Sequence, residues 1–163
     1  MGYAGKHKCL TYLSWVLAAV SAPVALLPFI YIWKIIKEVL DVAPDFSKAT
    51  GLVHNGVMAM VFAVASFLIY ICALLCSHLA AFRVATNMRI AGTEHIAKLP
   101  LGFVDKFGSG KLRKIVNDST GATETYLAHQ LPDKYAAIAT PVGLLALLFI
   151  FDWRLGLLSL IPV

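Results

Sequence analysis

Charge is what this 163-residue chain has little of. Asp, Glu, Lys and Arg make up 14% of it, where soluble domains carry about 25%. With 60% hydrophobic residues and a mean hydropathy of +0.78, neither a water-soluble globule nor intrinsic disorder is expected, because disorder needs the opposite balance. Cysteine is also scarce. Cys9, Cys72 and Cys76 are an odd set without a disulfide framework. Cys72 and Cys76 stand one helical turn apart, but no His or carboxylate lies beside them on that face. Buried small side chains are therefore expected rather than a metal or redox pair. The net charge of +5 on such a chain reads as attraction to lipid headgroups or as a topology signal, not as nucleic-acid binding.

The charges that exist avoid three apolar runs. Residues 10–33 hold about 24 mostly apolar residues, more than the ~20 that span a bilayer and too many for a signal-peptide core. Pro23 and Pro28 inside this run predict a kink. A polar stretch, residues 34–51, follows with Pro44 and Gly51 as punctuation. Residues 52–82 form the second span and residues 135–151 the third, with Pro141 inside. Asp152, Trp153 and Arg154 make a short polar tip with an interfacial tryptophan. Residues 155–163 begin a fourth apolar run too short to cross, so the chain is expected to be a piece of something longer. No internal repeat or low-complexity tract is present.

An absence of carboxylates and cations inside the three spans argues against ion-coupled carriers and intramembrane enzymes. His54 and His78 lie near span ends and read as interfacial groups rather than catalysts. No catalytic residue and no metal site is expected in these residues. Energy for any transport must then come from outside them.

The second span has two faces. At 100° per residue, Gly56, Ala59, Ala63, Ser66, Tyr70, Ala73, Ser77 and Ala81 fall within about a 100° arc, and Val57, Val61, Val64, Leu68, Ile71, Leu75, Leu79 and Phe82 within another of roughly 80°. Small residues let membrane helices approach closely, whereas bulky aliphatics suit lipid. Ser66 and Tyr70 are the polar members of the small arc. They either line a substrate path or hydrogen-bond between helices.

No proline interrupts residues 52–99. As one helix they would measure roughly 70 Å, so some 25–40 Å must stand in water beyond a ~30 Å hydrocarbon core. Pro100, Gly102, Gly108 and Gly110 then cluster as a break, after which helical periodicity resumes. Phe103 and Phe107 are spaced i, i+4, which makes one apolar knob. Such a knob suits insertion into a groove on a partner or, alternatively, rests on the membrane surface. The stretch from Phe107 to Leu112 looks like the end of a phosphate-binding loop. It has Asp105 where the first glycine belongs and Leu112 where the metal-binding hydroxyl belongs, and no apolar strand precedes it. A hinge between two helices is the better reading.

Arg83, the run Lys98-Leu99-Pro100-Leu101-Gly102-Phe103, then Gly110-Lys111-Leu112 and Asn117-Asp118 resemble the first cytoplasmic loop of ABC transporters of the exporter-type fold. Phe151-Asp152-Trp153-Arg154-Leu155 looks like that family's outer turn between its third and fourth helices. Residues 2–40 are similar to a bacterial branch that fuses membrane and ATPase domains in one chain, some members of which handle siderophores. The resemblance implies an all-α membrane protein, with residues 1–163 as the N-terminal part of an exporter-type transmembrane domain whose long helices extend into the cytoplasm. It implies a cytoplasmic loop over residues 83–134 and a coupling helix made of Pro100, Leu101, Gly102, Phe103, Val104, Asp105, Lys106 and Phe107, the contact for an ATPase domain. It further implies a second transmembrane domain, as homodimer or heterodimer, a small-molecule substrate, and ATP with Mg in the full transporter. No ATPase domain and no bound cofactor is expected in this chain. A non-transporting membrane scaffold or accessory subunit is the competing reading. Three spans leave ten Lys and Arg on the side of residues 1–9 and 83–134 and four on the other, so the N-terminus is expected in the cytoplasm and the protein in the inner (plasma) membrane.

Overall fold

The computed structural model describes residues 8–44 and 49–160. The first seven residues of the expected cytoplasmic end, residues 45–48 of the polar stretch and the last three residues of the fourth run lie outside the described residues. Among the described residues six α-helices follow one another: α1 (Lys8–Asp41), α2 (Leu52–Ala97), α3 (Leu101–Phe107), α4 (Ser109–Thr125), α5 (Leu131–Phe151) and α6 (Trp153–Ser159). Between α4 and α5 lies one π-helical turn, Tyr126–Gln130. Among the described residues three helical runs are long and apolar enough to cross a membrane: Lys8–Asp41, Leu52–Ala97 and Ser109–Phe151. The protein is thus an all-α, multi-pass membrane protein.

Helix α1 holds Pro23 and Pro28 without ending and passes the expected end of the first span. Residues 34–41, read from sequence as part of a polar connection, are helical. The reason is local: Ile35, Ile36, Val39 and Leu40 keep the apolar spacing, and the two lysines lie back along the helix. Lys34 Nζ sits 5.0 Å from the Tyr31 ring centroid and Lys37 Nζ 5.3 Å from that of Trp33, so their stems cover the helix surface while their charges stay outside.

Helix α2 is unbroken over 46 residues, roughly 70 Å at the α-helical rise. It lacks proline and ends where Lys98 N and Leu99 N turn back to His95 O and Ile96 O, just before Pro100, which restricts the residue preceding it.

The chain folds as two compact units. One comprises residues 8–16 and 73–134. In it α2 and α4 run antiparallel, since Gly92 faces Val116, Arg89 reaches Thr120 and Glu124, and Ser77 reaches Leu127 and Ala128. Ala73, Ala80, Ala81, Val84, Ala85 and Thr120 are buried, and these small side chains permit the close approach. The other unit comprises residues 17–44, 49–72 and 135–160. Its aromatic contacts are Tyr31 stacked on Phe62 at 5.5 Å and Trp33 against Phe151 at 4.9 Å. Gly143 passes close to Pro23 and Leu26. Asp152 caps α6, accepting from Arg154 N at 2.9 Å.

The two arcs of α2 separate in burial. Val57, Val61, Val64, Leu68, Leu75, Leu79 and Phe82 are exposed, whereas Ser66, Ala73, Ser77 and Ala81 are buried. Ala63 departs from the small arc and is exposed. The cysteines also depart from expectation: Cys9 and Cys72 are exposed and Cys76 is half-buried. Cys72 lies at the edge of the bulky arc, so it shares the exposure of Leu68 and Leu75 rather than the burial of Ala73.

Candidate functional site

The segment between α2 and α4 is built by proline at one end and glycine at the other. Pro100, at φ −56 and ψ 140, stands before α3 and sets its first turn, with Phe103 N bonded to Pro100 O at 2.9 Å. Pro is well suited there, because the start of a helix has no use for its missing N–H. Gly108 closes α3 and opens α4 in one residue. Its φ of +78 is a backbone conformation that side chains other than glycine's rarely adopt. Its N–H bonds Val104 O at 2.8 Å, and its carbonyl accepts from Leu112 N at 3.2 Å.

Helix α3 sorts its side chains to two sides. Val104 turns inward and lines an open groove of about 400 Å3 with Ile96, Leu112 and Val116, whose polar rim includes Arg89, Ser109 and Asn117. Leu101, Phe103 and Phe107 turn outward and are 75%, 40% and 39% exposed. The two phenylalanine rings lie 4.6 Å apart, so the expected knob exists as one aromatic surface. Lys111 Nζ lies 5.8 Å from the Phe107 ring centroid. Gly102, Asp105 and Lys106 are exposed around it. An exposed aromatic patch with charged neighbours is the composition of a contact surface.

Residues 105–112 do not form a phosphate cradle. Gly108 is spent on the junction between two helices, Lys111 is turned towards Phe107, and Leu112 lines the groove. These eight residues therefore do not fit the phosphates of ATP.

What holds this segment in place is the α2–α4 pair. Arg89 Nη2 reaches Glu124 Oε2 at 3.1 Å, and Arg89 Nε donates to Thr120 Oγ1 at 3.2 Å. Thr120 is buried and donates in turn to its own helix at Val116 O, 2.8 Å. Gly92 leaves room for Val116, whose methyls would lie 3.2 and 3.3 Å from a Cβ added there. Arg89 and Gly92 were not singled out in the sequence, because their partners lie about 25 to 35 positions away and only helix pairing brings them together.

Ser66 and Tyr70 lie elsewhere, in the other unit. Ser66 is buried, and its hydroxyl donates to Ala63 O of its own helix at 2.8 Å, a bond that releases it from needing a partner helix. His78, read as interfacial, is half-buried and meets His129 edge to face at 4.7 Å.

Comparison with known proteins adds an independent finding. Residues 11–163 match the model of the ABC transporter transmembrane region. Over 151 residues, 93% of the chain, it is 31% identical to the Mycobactin import ATP-binding/permease protein IrtA of Mycolicibacterium smegmatis. Over 86 residues, 53% of the chain, it is 38% identical to the protein of that name from Mycobacterium tuberculosis. The chain spans only 17% and 10% of those two relatives' lengths. With an all-α fold, three helical runs able to cross a membrane and a family match over almost its whole length, the chain belongs to the ABC transporter transmembrane region family.

Proposed function

We propose that this chain is the membrane-spanning part of an ATP-driven transporter and that α3 transmits the work of an ATPase domain to it. The observation that carries this reading is the outward Leu101, Phe103 and Phe107 surface, placed directly after the unbroken α2 and fixed by Pro100 and Gly108. Apolar side chains this exposed need a partner to cover them. The rod behind them is far longer than a bilayer, which favours a partner in water over a headgroup layer. The ATPase domain, with its ATP and Mg, lies outside these residues, as the relatives' fused ATP-binding and permease parts suggest.

In this reading the N-terminus and residues 83–134 are cytoplasmic, in keeping with the surplus of Lys and Arg there. The multi-pass domain sits in the inner membrane and pairs with a second transmembrane domain. Binding of ATP favours one of two arrangements, and the difference in affinity drives alternating access. Ser66 and Tyr70 supply polar atoms to the substrate path. In the same reading the cargo is a molecule of the mycobactin kind moved inward, a reading supported by the relatives' names alone.

The test is the double variant Phe103→Ala with Phe107→Ala in the full-length protein, reconstituted in vesicles. We expect transport to fall by about tenfold or more per ATP hydrolysed, since an aromatic anchor of an interface is worth about 2 kcal/mol or more. Membrane insertion should be unchanged. Unaltered transport per ATP would sink the coupling role.

A further inference from the structure

Pro132 lies in the first turn of α5 and is fully buried. Proline has no N–H, so residue 132 cannot bond Ala128 O, four residues back, or Leu127 O, five back. Both carbonyls are nevertheless met from another helix. Ser77 Oγ lies 2.7 Å from Leu127 O and 3.0 Å from Ala128 O. Leu131 N meanwhile reaches Tyr126 O, so the helix is widened by one residue at this point. Ser77 and Ala128 are 2% and 3% exposed and Leu127 is half-buried, so water competes little for the bond to Ala128 O. The arrangement at Pro141 is different, since the neighbouring Thr140 Oγ1 bonds only Ala136 O of its own helix, at 2.8 Å.

A serine hydroxyl has one proton. It can serve Leu127 O or Ala128 O fully, but not both at once. We propose that Ser77, Pro132 and the widened turn Tyr126–Gln130 form a hinge in the run Ser109–Phe151, with the Ser77 proton passing from one carbonyl to the other as the bend changes. Proline removes the backbone bond that would hold a single register, and the serine supplies a donor within reach of two. The contact of His78 with His129 keeps α2 and the turn together while the carbonyls exchange. Sharp bends at prolines and π turns are where helices flex, and elements with two discrete arrangements are what switching proteins use. The use of the hinge rests on the transporter reading, but its hydrogen-bond chemistry does not.

Amide hydrogen exchange on the full-length protein in lipid nanodiscs tests both parts. Without nucleotide, Ser77→Ala should speed exchange at residues 128–136 by about tenfold, the loss of one buried hydrogen bond. Ser77→Thr should leave it near the parent value. Pro132→Ala restores a backbone donor, so in that background Ser77→Ala should change exchange by less than about twofold. An equal effect of Ser77→Ala in both backgrounds would overturn the capping relation. In the parent protein, a non-hydrolysable ATP analogue with Mg should alter exchange at this turn several-fold, and an unchanged rate in a protein that the Phe103 and Phe107 variant does uncouple would overturn the hinge. A failure of the nucleotide-free series touches the hinge alone. Failure of the Phe103 and Phe107 variant to uncouple touches the transporter reading alone.

Discussion

Single contacts decide how α2 and α4 sit against each other, and Gly92 is the one with least tolerance. Val116 already stands at the limit of approach to a Cβ there. Gly92→Leu must push the helices apart, and overpacking of this kind costs roughly 1–3 kcal/mol. We expect a lower unfolding midpoint in detergent and weaker protection of residues 113–120 in hydrogen exchange, whereas a midpoint equal to the parent's would show that the helices part there at no cost. Arg89 offers a milder test. Its bonds to Glu124 and Thr120 are partly exposed, so Arg89→Ala should cost no more than about 1 kcal/mol. A greater loss in the same unfolding measurement would mean that the pair matters more than its exposure suggests. Neither residue announces itself in the sequence. Gly92 is one small residue in a helix that has many, and its importance lies in a valine 24 positions further on. The exposed Phe103 and Phe107, by contrast, were legible at once, because their spacing on a short helix is a local property.

At the scale of elements, the three apolar runs without charge fall within the three helical runs long and apolar enough to cross a membrane, and the proline and glycine cluster at residues 100–110 marks the break between α2 and α4. Two features were hidden. The helical extension of α1 through Asp41 looks polar in composition, and only the apolar spacing of Ile35, Ile36, Val39 and Leu40 discloses it. The widened turn at Tyr126–Gln130 lies beside Pro132, but the hydroxyl that meets its carbonyls comes from Ser77, 50 and 51 positions away, so no window along the chain contains the whole arrangement. The junction at Gly108 is the element-scale point most open to test. A side chain at φ +78 is strained by roughly 1–2 kcal/mol. Gly108→Ala should therefore loosen α3, seen as faster exchange at residues 103–108, with α2 unaffected. Equal exchange in α3 would mean that the junction relaxes freely and that Gly108 does not hold the aromatic surface in place.

For the whole molecule, the long α2 and the outward aromatic surface that follows it make one mechanical proposal: force applied at α3 reaches the membrane-crossing helices without an intervening flexible loop. Orientation is part of the same proposal. In a background without Cys9, Cys72 and Cys76, Ser109→Cys, exposed on the α4 side of the junction, should react with a membrane-impermeant thiol reagent in inverted vesicles and not in intact cells. Labelling from outside intact cells would reverse the topology read from the Lys and Arg distribution.

The contact itself can be seen most directly by photo-crosslinking. With a benzoylphenylalanine at position 103 or 107 of the full-length protein, mass spectrometry of the irradiated sample should find adducts with peptides of the ATPase domain, whereas the same probe at Val57, on the bulky exposed arc of α2, should yield lipid adducts. Lipid adducts at 103 and 107, with none to the ATPase domain, would place α3 on the membrane surface and contradict its role as the link between ATP hydrolysis and transport.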